Sequence, residues 1–123
     1  MSKTADLRRL ITSQLNTVTG ATYHRQAPDD ARYPYKTFEL SRASLGDLTR
    51  DDIDLCVDIW DHSDDMKAVE AIADSIEDLL NAANLPQEHI LPTFFRDSRY
   101  PVTEDDKTIQ HIQMHFIVQN YTI

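Results

Sequence analysis

The most regular pattern of apolar and polar positions lies in the middle of the chain, between residues 52 and 60. Every second side chain there is apolar, which is the period of a β-strand with one buried face. The apolar set is Ile53, Leu55, Val57 and Ile59, and the opposite set is Asp52, Asp54, Cys56, Asp58 and Trp60. The pattern therefore predicts a central strand with one buried side and one strongly acidic side.

Two other segments repeat apolar residues every three or four positions, as an amphipathic helix does. The first stripe contains Leu7, Leu10, Ile11, Leu15 and Val18, and the second contains Met66, Val69, Ile72, Ala73, Ile76, Leu79, Leu80 and Ala83. Ser2 or Thr4 is predicted to cap the first helix, which should end before Gly20. Ser63 is predicted to cap the second helix, with two aspartates following it in the first turn.

Shorter patterns complete the prediction. Strands are expected at residues 21–25 and 35–43, and a C-terminal hairpin has its arms at residues 90–96 and 108–121. Residues 97–107 between the arms would form a long loop, and long ordered loops often contact partners. The candidates for such contacts are Arg96, Arg99, Tyr100, Glu104, Asp105 and Asp106. Together the elements predict an α+β fold with a mostly antiparallel sheet, two helices packed on one of its faces and a long loop in the C-terminal β-hairpin.

Length and composition narrow the class of protein. At 123 residues the chain is expected to form one domain over residues 1–123. Its two glycines, Gly20 and Gly46, are too far apart to build a phosphate-binding loop. The single Cys56 cannot form an internal disulfide, and no apolar stretch suits a signal peptide or a membrane span. We therefore expect a protein that is made in a cytoplasm and does not enter a membrane.

The formal net charge of −9 is unevenly distributed along the chain. Residues 47–65 hold eight aspartates against one arginine. These aspartates are Asp47, Asp51, Asp52, Asp54, Asp58, Asp61, Asp64 and Asp65. A charge of this sign argues against a protein that grips the phosphates of nucleic acid, and it is compatible with a surface that nucleic acid slides past.

His111 and His115 are candidates for a metal site, because histidines four apart on a helix can share a zinc ion. The residues around them alternate with period two, so a strand is predicted instead. Residues four apart on a strand are about 13 Å apart at about 3.3 Å per residue, too far to share one ion. Ile112 also stands where a zincin has glutamate. We expect two polar residues on an exposed or subunit-facing strand surface.

A second cluster of chemically active residues is Asp58, Asp61, His62, Asp64 and Asp65. It lacks the glycine and the terminal glutamate of a calcium loop, and a solvated acidic face explains it better than a metal site. Neighbouring carboxylates disfavour the thiolate of Cys56, and no serine lies in a nucleophile elbow. We therefore expect no enzymatic activity, no metal and no cofactor.

Several sequence features occur together in the first two-thirds of the chain. A tyrosine precedes a proline-containing loop, a Pro-Tyr pair opens a strand, and a strand ends in Val-x-x-Trp before an Ala/Ile-rich helix. In this sequence the features are Tyr23, Pro28, Pro34, Tyr35, Val57, Trp60 and residues 68–80. Over residues 5–83 the chain resembles the tail-completion, or tail-terminator, proteins of long-tailed bacteriophages and gene-transfer particles.

The resemblance implies a structural virion protein, assembled in the host bacterial cytoplasm and located in the tail or neck of the particle. Such proteins form a ring, commonly a hexamer, that caps the tail tube and stops its polymerisation. The implied partners are further copies of the chain, the tail tube protein and the head–tail connector protein. Asp51, Asp52, Asp54 and Asp58 are candidates for lining the bore, where their charge would let DNA pass without specific binding.

Two other functions remain open from the residues alone. The aspartate-rich segment would also suit a small acidic cytoplasmic binding module that mimics DNA and inhibits a basic partner. An enzyme that uses His62, or the His111 and His115 pair, is the second alternative, although a coherent set of acid, base and nucleophile is missing.

Overall fold

The order of helices and strands follows the sequence pattern closely. The computed structural model describes residues 2–45, 49–87 and 89–122, so Gly46 and Asp47 lie outside the described residues. The elements are α1 (Lys3–Leu15), β1 (Ala21–His24), β2 (Tyr35–Leu45), β3 (Arg50–His62), α2 (Lys67–Leu80), β4 (Ile90–Pro101) and β5 (Ile109–Thr122). The long alternating strand predicted in the middle of the chain is β3.

The five strands form one sheet in the order β1-β2-β3-β5-β4. β2, β3, β5 and β4 pair antiparallel with their neighbours, and the short β1 pairs parallel with the beginning of β2. β3 and β5 pair over their whole length, from Arg50 opposite Tyr121 to His62 opposite Ile109. The mostly antiparallel α+β fold is therefore confirmed, and the central pair β3–β5 fixes the register of the whole sheet.

Both helices pack on the same face of the sheet, as predicted. The hydrophobic core contains Leu7, Ile11 and Leu15 from α1, Val69, Ile72, Ala73, Ile76 and Leu80 from α2, and Phe38, Ile53, Leu55, Val57, Ile59, Ile90, Phe94, Ile112, Met114, Phe116 and Val118 from the strands. The strand residues alternate with polar ones, so each strand presents a single apolar side to the helices. We call the opposite side the helix-free face.

The first helix begins as predicted but ends early. The Ser2 hydroxyl accepts a hydrogen bond of 3.1 Å from the backbone nitrogen of Ala5, so Ser2 is the N-cap. The helix ends at Leu15, and the prediction of Gly20 as its cap is wrong. Gly20 instead has a positive φ of 94°, and a side chain there would collide with the carbonyl oxygen of Pro34.

A buried lysine connects the end of α1 to the sheet. Lys36 on β2 has no exposed surface, and its ammonium group donates hydrogen bonds to the carbonyl oxygens of Val18, Thr19 and Gly20. Burial lowers the pKa of Lys36 to about 8. With a pKa of about 8 the ammonium form predominates at neutral pH, and it satisfies three carbonyl groups of the turn that follows α1.

The second helix begins later than the sequence indicates. α2 starts at Lys67, and Met66 occupies the cap position without a side-chain hydrogen bond. The prediction of Ser63 as N-cap is therefore wrong. The backbone nitrogen of Ser63 donates a hydrogen bond of 2.8 Å to the carbonyl oxygen of Thr108. This bond holds the segment before α2 against the start of β5. Asp65 accepts a hydrogen bond of 3.0 Å from the backbone nitrogen of Lys67.

The C-terminal hairpin has a longer first arm than predicted. β4 continues to Pro101, with an irregularity in its pairing between Arg96 and Ser98. The connection to β5 is therefore residues 102–108 rather than 97–107. A bulge shifts the side-chain alternation by one position, which hides the second half of the strand from a period-two pattern.

Candidate functional site

The helix-free face is the surface most able to meet a partner, because no element of the described chain covers it. Its central rows come from β3 and β5. On β3 they are Asp52, Asp54, Cys56, Asp58 and Trp60, paired in that order with Gln119, Ile117, His115, Gln113 and His111 of β5. The acidic side predicted for the central strand is confirmed, and its residues are all partly or fully buried by their neighbours.

Asp51 is separated from the other acidic candidates. It alternates with the apolar set of β3, so it lies on the helix side, where it is only 6% exposed. Its carboxylate lies 2.6 Å from the ammonium group of Lys3 at the start of α1. Asp51 is therefore an internal ion-pair partner, and its odd-numbered position beside Ile53 was the sequence signal for that placement.

Asp52 and Asp54 lie together on the helix-free face. The guanidinium of Arg50 is 3.2 Å from Asp52, and Arg42 of β2 is the cross-strand neighbour of Asp54. Both carboxylates are half-buried among the side chains of the central strands. These two acidic residues keep access to solvent on the face opposite the helices.

Asp58 belongs to a buried cluster around His111. The Nε2 atom of His111 lies 2.6 Å from Asp58, and its Nδ1 atom lies 2.7 Å from Glu104. The Gln113 amide donates a second hydrogen bond of 2.9 Å to Asp58. His111 is only 7% exposed, and the indole of Trp60 stacks on its ring at 4.4 Å. We call Asp58, His111 and Glu104 the histidine clasp.

Electrostatics favour the charged form of the clasp. Burial lowers the pKa of His111, but hydrogen bonds and charge from Asp58 and Glu104 outweigh it, and the net pKa is raised. Burial likewise raises the pKa of Asp58, and the bonds from His111 and Gln113 bring it below its ordinary value. The sequence predicted two polar histidines on an exposed or subunit-facing strand surface. His111 does lie on the helix-free face, but it is not exposed, because Asp58, Glu104 and Trp60 surround it.

His115 has different surroundings from His111. Its Nε2 atom lies 3.1 Å from the hydroxyl of Tyr100 and 3.0 Å from the side-chain oxygen of Gln113. The strand predicted for this segment is confirmed as β5, and each histidine has its own partners along it. Within the ranges that the structure describes, no group of three or more His, Cys, Asp or Glu side chains could hold a metal ion.

An apolar stripe that the sequence pattern did not predict lies beside the acidic row. It consists of the cross-strand pairs Leu91–Tyr121 and Phe95–Ile117 on β4 and β5, with the polar pair Thr93–Gln119 between them. Phe95 is 41% exposed, and Ile117 is the direct neighbour of Asp54 on the other side. The helix-free face therefore combines an apolar stripe with an adjacent acidic row.

The six residues predicted for the C-terminal loop occupy three different places. Arg96 belongs to β4, as predicted for this arm, and Arg99 and Tyr100 belong to β4 rather than to the loop. Arg99 lies on the helix side and donates to Asp74 at 2.7 Å and to Glu77 at 3.1 Å.

The remaining candidates lie in the 102–108 connection. Glu104 belongs to the histidine clasp, and Asp105 is exposed. Asp106 accepts hydrogen bonds of 2.9 Å and 2.6 Å from the backbone and hydroxyl of Thr108. The connection is therefore held in one shape by its own contacts.

The surroundings of Cys56 disfavour nucleophilic chemistry. Burial, followed by the charge of Asp58, raises the pKa of the Cys56 thiol to about 12, so the reactive thiolate is strongly disfavoured. Among the described residues, neither helix has the length and apolar character needed to cross a membrane. The arrangement on the helix-free face is suited to binding rather than to nucleophilic catalysis.

The chain matches both a protein-family model and solved structures. The model of the family described as tail completion protein gp17 matches residues 7–119. No curated protein matches the chain. Among solved structures, a chain described as part of the virion of a native gene transfer agent particle has a TM-score of 0.65 and 10% sequence identity, over 91% of this chain and 84% of that chain. At this identity the likeness shows a shared fold. Because the family match spans nearly the whole sequence, the chain belongs to the tail completion protein gp17 family and is a structural protein of a phage-type virion tail.

Proposed function

We propose that six copies of this protein form a ring that caps the finished tail tube before the head is joined. The ring stops tube polymerisation and offers the head–tail connector a surface. The observation that carries the proposal is the family match over residues 7–119. The shared fold with a chain of a gene transfer agent virion supports it.

The mechanism of capping is geometric. One face of the ring complements the last ring of the tube, and the other face lacks the pattern that a further tube ring needs. An interface between two different surfaces of identical copies closes into a ring when the rotation between neighbours allows it. No catalytic step is required, which agrees with a structural role and with the raised thiol pKa of Cys56.

The acidic row of the helix-free face is suited to the bore of the ring. Asp52 and Asp54 keep solvent access there, and Asp58 carries its charge within the histidine clasp. Negative charge around a channel repels DNA phosphates, so the genome passes without specific binding. Asp51 has no part in this role, because it is paired with Lys3 on the helix side.

The 102–108 connection is the segment that we assign to contact with the tube or the connector. Its carboxylates Glu104, Asp105 and Asp106 are at the same end of the sheet as the segment before α2. Contacts with His111 and Thr108 fix its shape before any partner binds. A preformed surface loses little conformational entropy on binding, which favours rapid capping of a tube end.

The test is to mix the purified protein with purified, uncapped tail tubes and to examine tube ends by electron microscopy. We expect a ring at one end of each tube and no further elongation when tube protein is added. Tubes without added protein, and tubes with an unrelated acidic protein, are the controls. Bare ends and continued growth would refute the proposal.

The same preparation tests the alternative of an acidic DNA mimic. That alternative predicts salt-sensitive binding to a basic DNA-binding protein and no binding to tubes. Family membership favours the tail role. The engagement of Asp51 and Asp58 in internal ion pairs also leaves fewer free carboxylates to imitate a row of phosphates.

A further inference from the structure

Six aromatic side chains form a continuous surface at one end of the helix-free face. We call this surface the aromatic platform, and its members are Tyr23, Tyr33, Tyr35, Trp60, His62 and His111. Tyr35, Trp60 and His111 lie side by side across β2, β3 and β5, with ring centroids 5.2 Å and 4.4 Å apart. The ring of Tyr33 lies 5.3 Å from that of Tyr35 and 6.0 Å from that of His62.

The platform concentrates the aromatic residues of the chain and is open to solvent. It holds the only tryptophan and three of the five tyrosines. Tyr33 is 44% exposed, His62 is exposed and Trp60 is partly exposed. No lysine or arginine within the described ranges stacks on these rings, so their outer surfaces are accessible to a group from another molecule.

The chain around the platform is strongly acidic. Residues 29–35, 58–65 and 102–111 supply or adjoin five of the six rings, and they hold nine aspartates and glutamates against one arginine and one lysine. Arg32 and Lys107, the two exceptions, form no ion pair with these carboxylates in the part of the chain that the structure describes. This end of the sheet therefore carries an excess of negative charge.

Two of the carboxylates lie against the platform itself. Asp58 and Glu104 share the imidazole of His111, so the histidine clasp keeps one negative charge even when the imidazole is charged. Burial, followed by the neighbouring Tyr33 and then the charge of Glu104, raises the pKa of Tyr35. The Glu104 carboxylate is therefore close to the Tyr35 ring as well.

A third carboxylate lies at the edge of the platform. Asp106 accepts a hydrogen bond of 2.6 Å from the hydroxyl of Thr108, and that hydroxyl lies 3.1 Å from Nε2 of His62. The 102–108 connection thus brings negative charge to the platform from both Glu104 and Asp106.

An arginine side chain has the chemistry that fits this surface. The flat guanidinium group stacks on the rings of tryptophan and tyrosine, and its N–H groups pair with carboxylates. The ammonium group of lysine carries the same charge but has no flat surface to stack. The carboxylates repel the phosphates of nucleic acid, although bases also stack on aromatic rings.

We propose that the aromatic platform binds an arginine side chain of the tail tube protein, which stacks on the rings and pairs with the carboxylates at their edge. The proposal rests on the proposed function. Because the ring caps the tube before the head is joined, the tube is the first partner that it must hold. The proposal assigns the platform and the 102–108 connection to a single contact.

Titration of the unsubstituted protein tests the chemistry of the site. The probe is a short glycine peptide with two arginines and blocked ends, and the reporter is the fluorescence of Trp60, the only tryptophan. We expect a saturable change in emission that weakens as salt is raised. The same peptide with two lysines should bind several times more weakly. The peptide with two glutamates and a single-stranded oligothymidine should not bind.

Substitutions of one exposed ring separate stacking from charge. Tyr33→Leu removes a ring and no charge, so the arginine peptide should bind about fivefold more weakly, the size of one cation–π contact. Tyr33→Phe keeps the ring and should bind as the unsubstituted protein does. Tyr121→Leu makes the first change at the opposite end of the sheet and is the matched control.

Folding of each variant is checked by urea denaturation. The indole N–H signal of Trp60 in the NMR spectrum of the unsubstituted protein gives a second measure of binding. It should shift on addition of the arginine peptide, and this measurement decides the matter even if Tyr33→Leu does not fold.

Capping of tube ends tests whether the tube supplies the arginine. Tyr33→Leu should need at least about fivefold more protein than the unsubstituted chain to cap half of the tube ends, because each copy in the ring loses a contact. Tyr33→Phe should cap at the same concentration as the unsubstituted chain.

Five results would overturn the proposal. The first three are an arginine peptide that changes neither Trp60 signal, a lysine peptide that binds as tightly, and an oligothymidine that binds to the same rings. The others are a folded Tyr33→Leu variant that caps tubes normally, and self-association in sedimentation that Tyr33→Leu abolishes, which would make a second copy the occupant.

The proposed function is judged separately, from the unsubstituted protein. Rings at tube ends leave it standing under each of those five results. Bare tube ends would overturn the proposed function and the assignment of the arginine to the tube together.

Discussion

His111 shows how one residue joins distant parts of this chain. Its imidazole binds Asp58 from the central strand and Glu104 from the 102–108 connection, and Trp60 covers one side of the ring. Charge-assisted hydrogen bonds of this kind are stronger than neutral ones, especially away from water. The clasp therefore fixes the connection to the sheet as long as the imidazole is charged.

The pH dependence of stability follows from the two shifted groups. The pKa of His111 is raised, so its contribution is fully present below the ordinary value of 6.5 and is lost as pH rises through the higher folded value. The pKa of Asp58 is lowered, so its contribution is present above the ordinary value of 3.8 and is lost as pH falls through the lower folded value. The clasp contributes most between these two ordinary values.

We predict that His111→Gln lowers the free energy of unfolding by about 2 kcal/mol at pH 5, the range for hydrogen bonds to charged groups. The loss should shrink as the pH rises through the raised pKa of His111 in the folded protein, because the imidazole then loses its charge. Urea denaturation of the variant and of the unsubstituted protein at pH 5, 7 and 9 measures the loss of unfolding free energy and its change with pH. His115→Gln is the matched control, because its partners Tyr100 and Gln113 are neutral. A loss for His111→Gln that is the same at pH 5 and pH 9 would contradict the charged clasp.

The clasp was not predictable from sequence, for a physical reason. Asp58 is 53 residues from His111, and Glu104 reaches it only because the connection folds back. Alternation alone places a side chain on one face and says nothing of what lies over that face. Asp51 is different, because its position relative to Ile53 already indicated the helix side.

The two helices differ in how their first turns are held. The Ser2 hydroxyl caps α1, whereas the backbone of Ser63 is tied to Thr108 four residues before α2 begins. The sequence signal was similar in both cases, with a serine ahead of an apolar stripe. Tertiary contact with β5 decided where the second helix starts.

A pair of matched substitutions tests this difference. We predict that Ser2→Ala lowers the free energy of unfolding by about 1 kcal/mol, as loss of an N-cap does. Ser63→Ala should change it by no more than about 0.5 kcal/mol, because that hydroxyl makes only a weak contact of 3.4 Å with the nitrogen of Asp65. Thermal denaturation of the two variants and of the unsubstituted protein measures both changes in the free energy of unfolding. An effect of Ser63→Ala as large as that of Ser2→Ala would restore Ser63 as a helix cap.

Strand boundaries were predictable where alternation was uninterrupted. β3 and β5 match their patterns, because apolar and polar side chains alternate along most of each strand. β4 was cut short in the prediction, since its second half is polar and the bulge after Arg96 shifts the alternation. Two candidate residues, Arg99 and Tyr100, therefore belong to a strand instead of the predicted loop, and Arg99 is separate from the acidic residues of the connection.

At the scale of the whole molecule, the resemblance seen in the sequence is confirmed by family membership. The elements and the one-sided core were also predictable. The apolar stripe of the helix-free face was not, because Phe95 and Ile117 are neighbours only through the pairing of β4 with β5.

The proposed bore gives a prediction for the assembled particle. Asp52→Lys with Asp54→Lys should leave rings at tube ends but slow DNA release at low salt, because a positive bore retains phosphates. The delay should diminish as salt is raised. Fluorescence of a DNA-binding dye during triggered genome release measures the rate. Asp29→Lys with Asp30→Lys makes the same change in charge on an exposed loop and should release DNA normally. Equal rates in both variants would place the acidic row away from the DNA path.

The one-sided core has a consequence for how the protein could be redesigned. The hydrophobic cluster lies between the two helices and a single side of the sheet, so folding constrains that side most strongly. The proposed contacts lie outside that cluster, with Asp52 and Asp54 on the opposite side of the sheet and Asp105 exposed in the 102–108 connection. We therefore expect substitutions at these three residues to alter the proposed contacts with DNA, tube or connector while changing the free energy of unfolding little. An engineer could then redesign the proposed contact surfaces and leave the residues of the core unchanged.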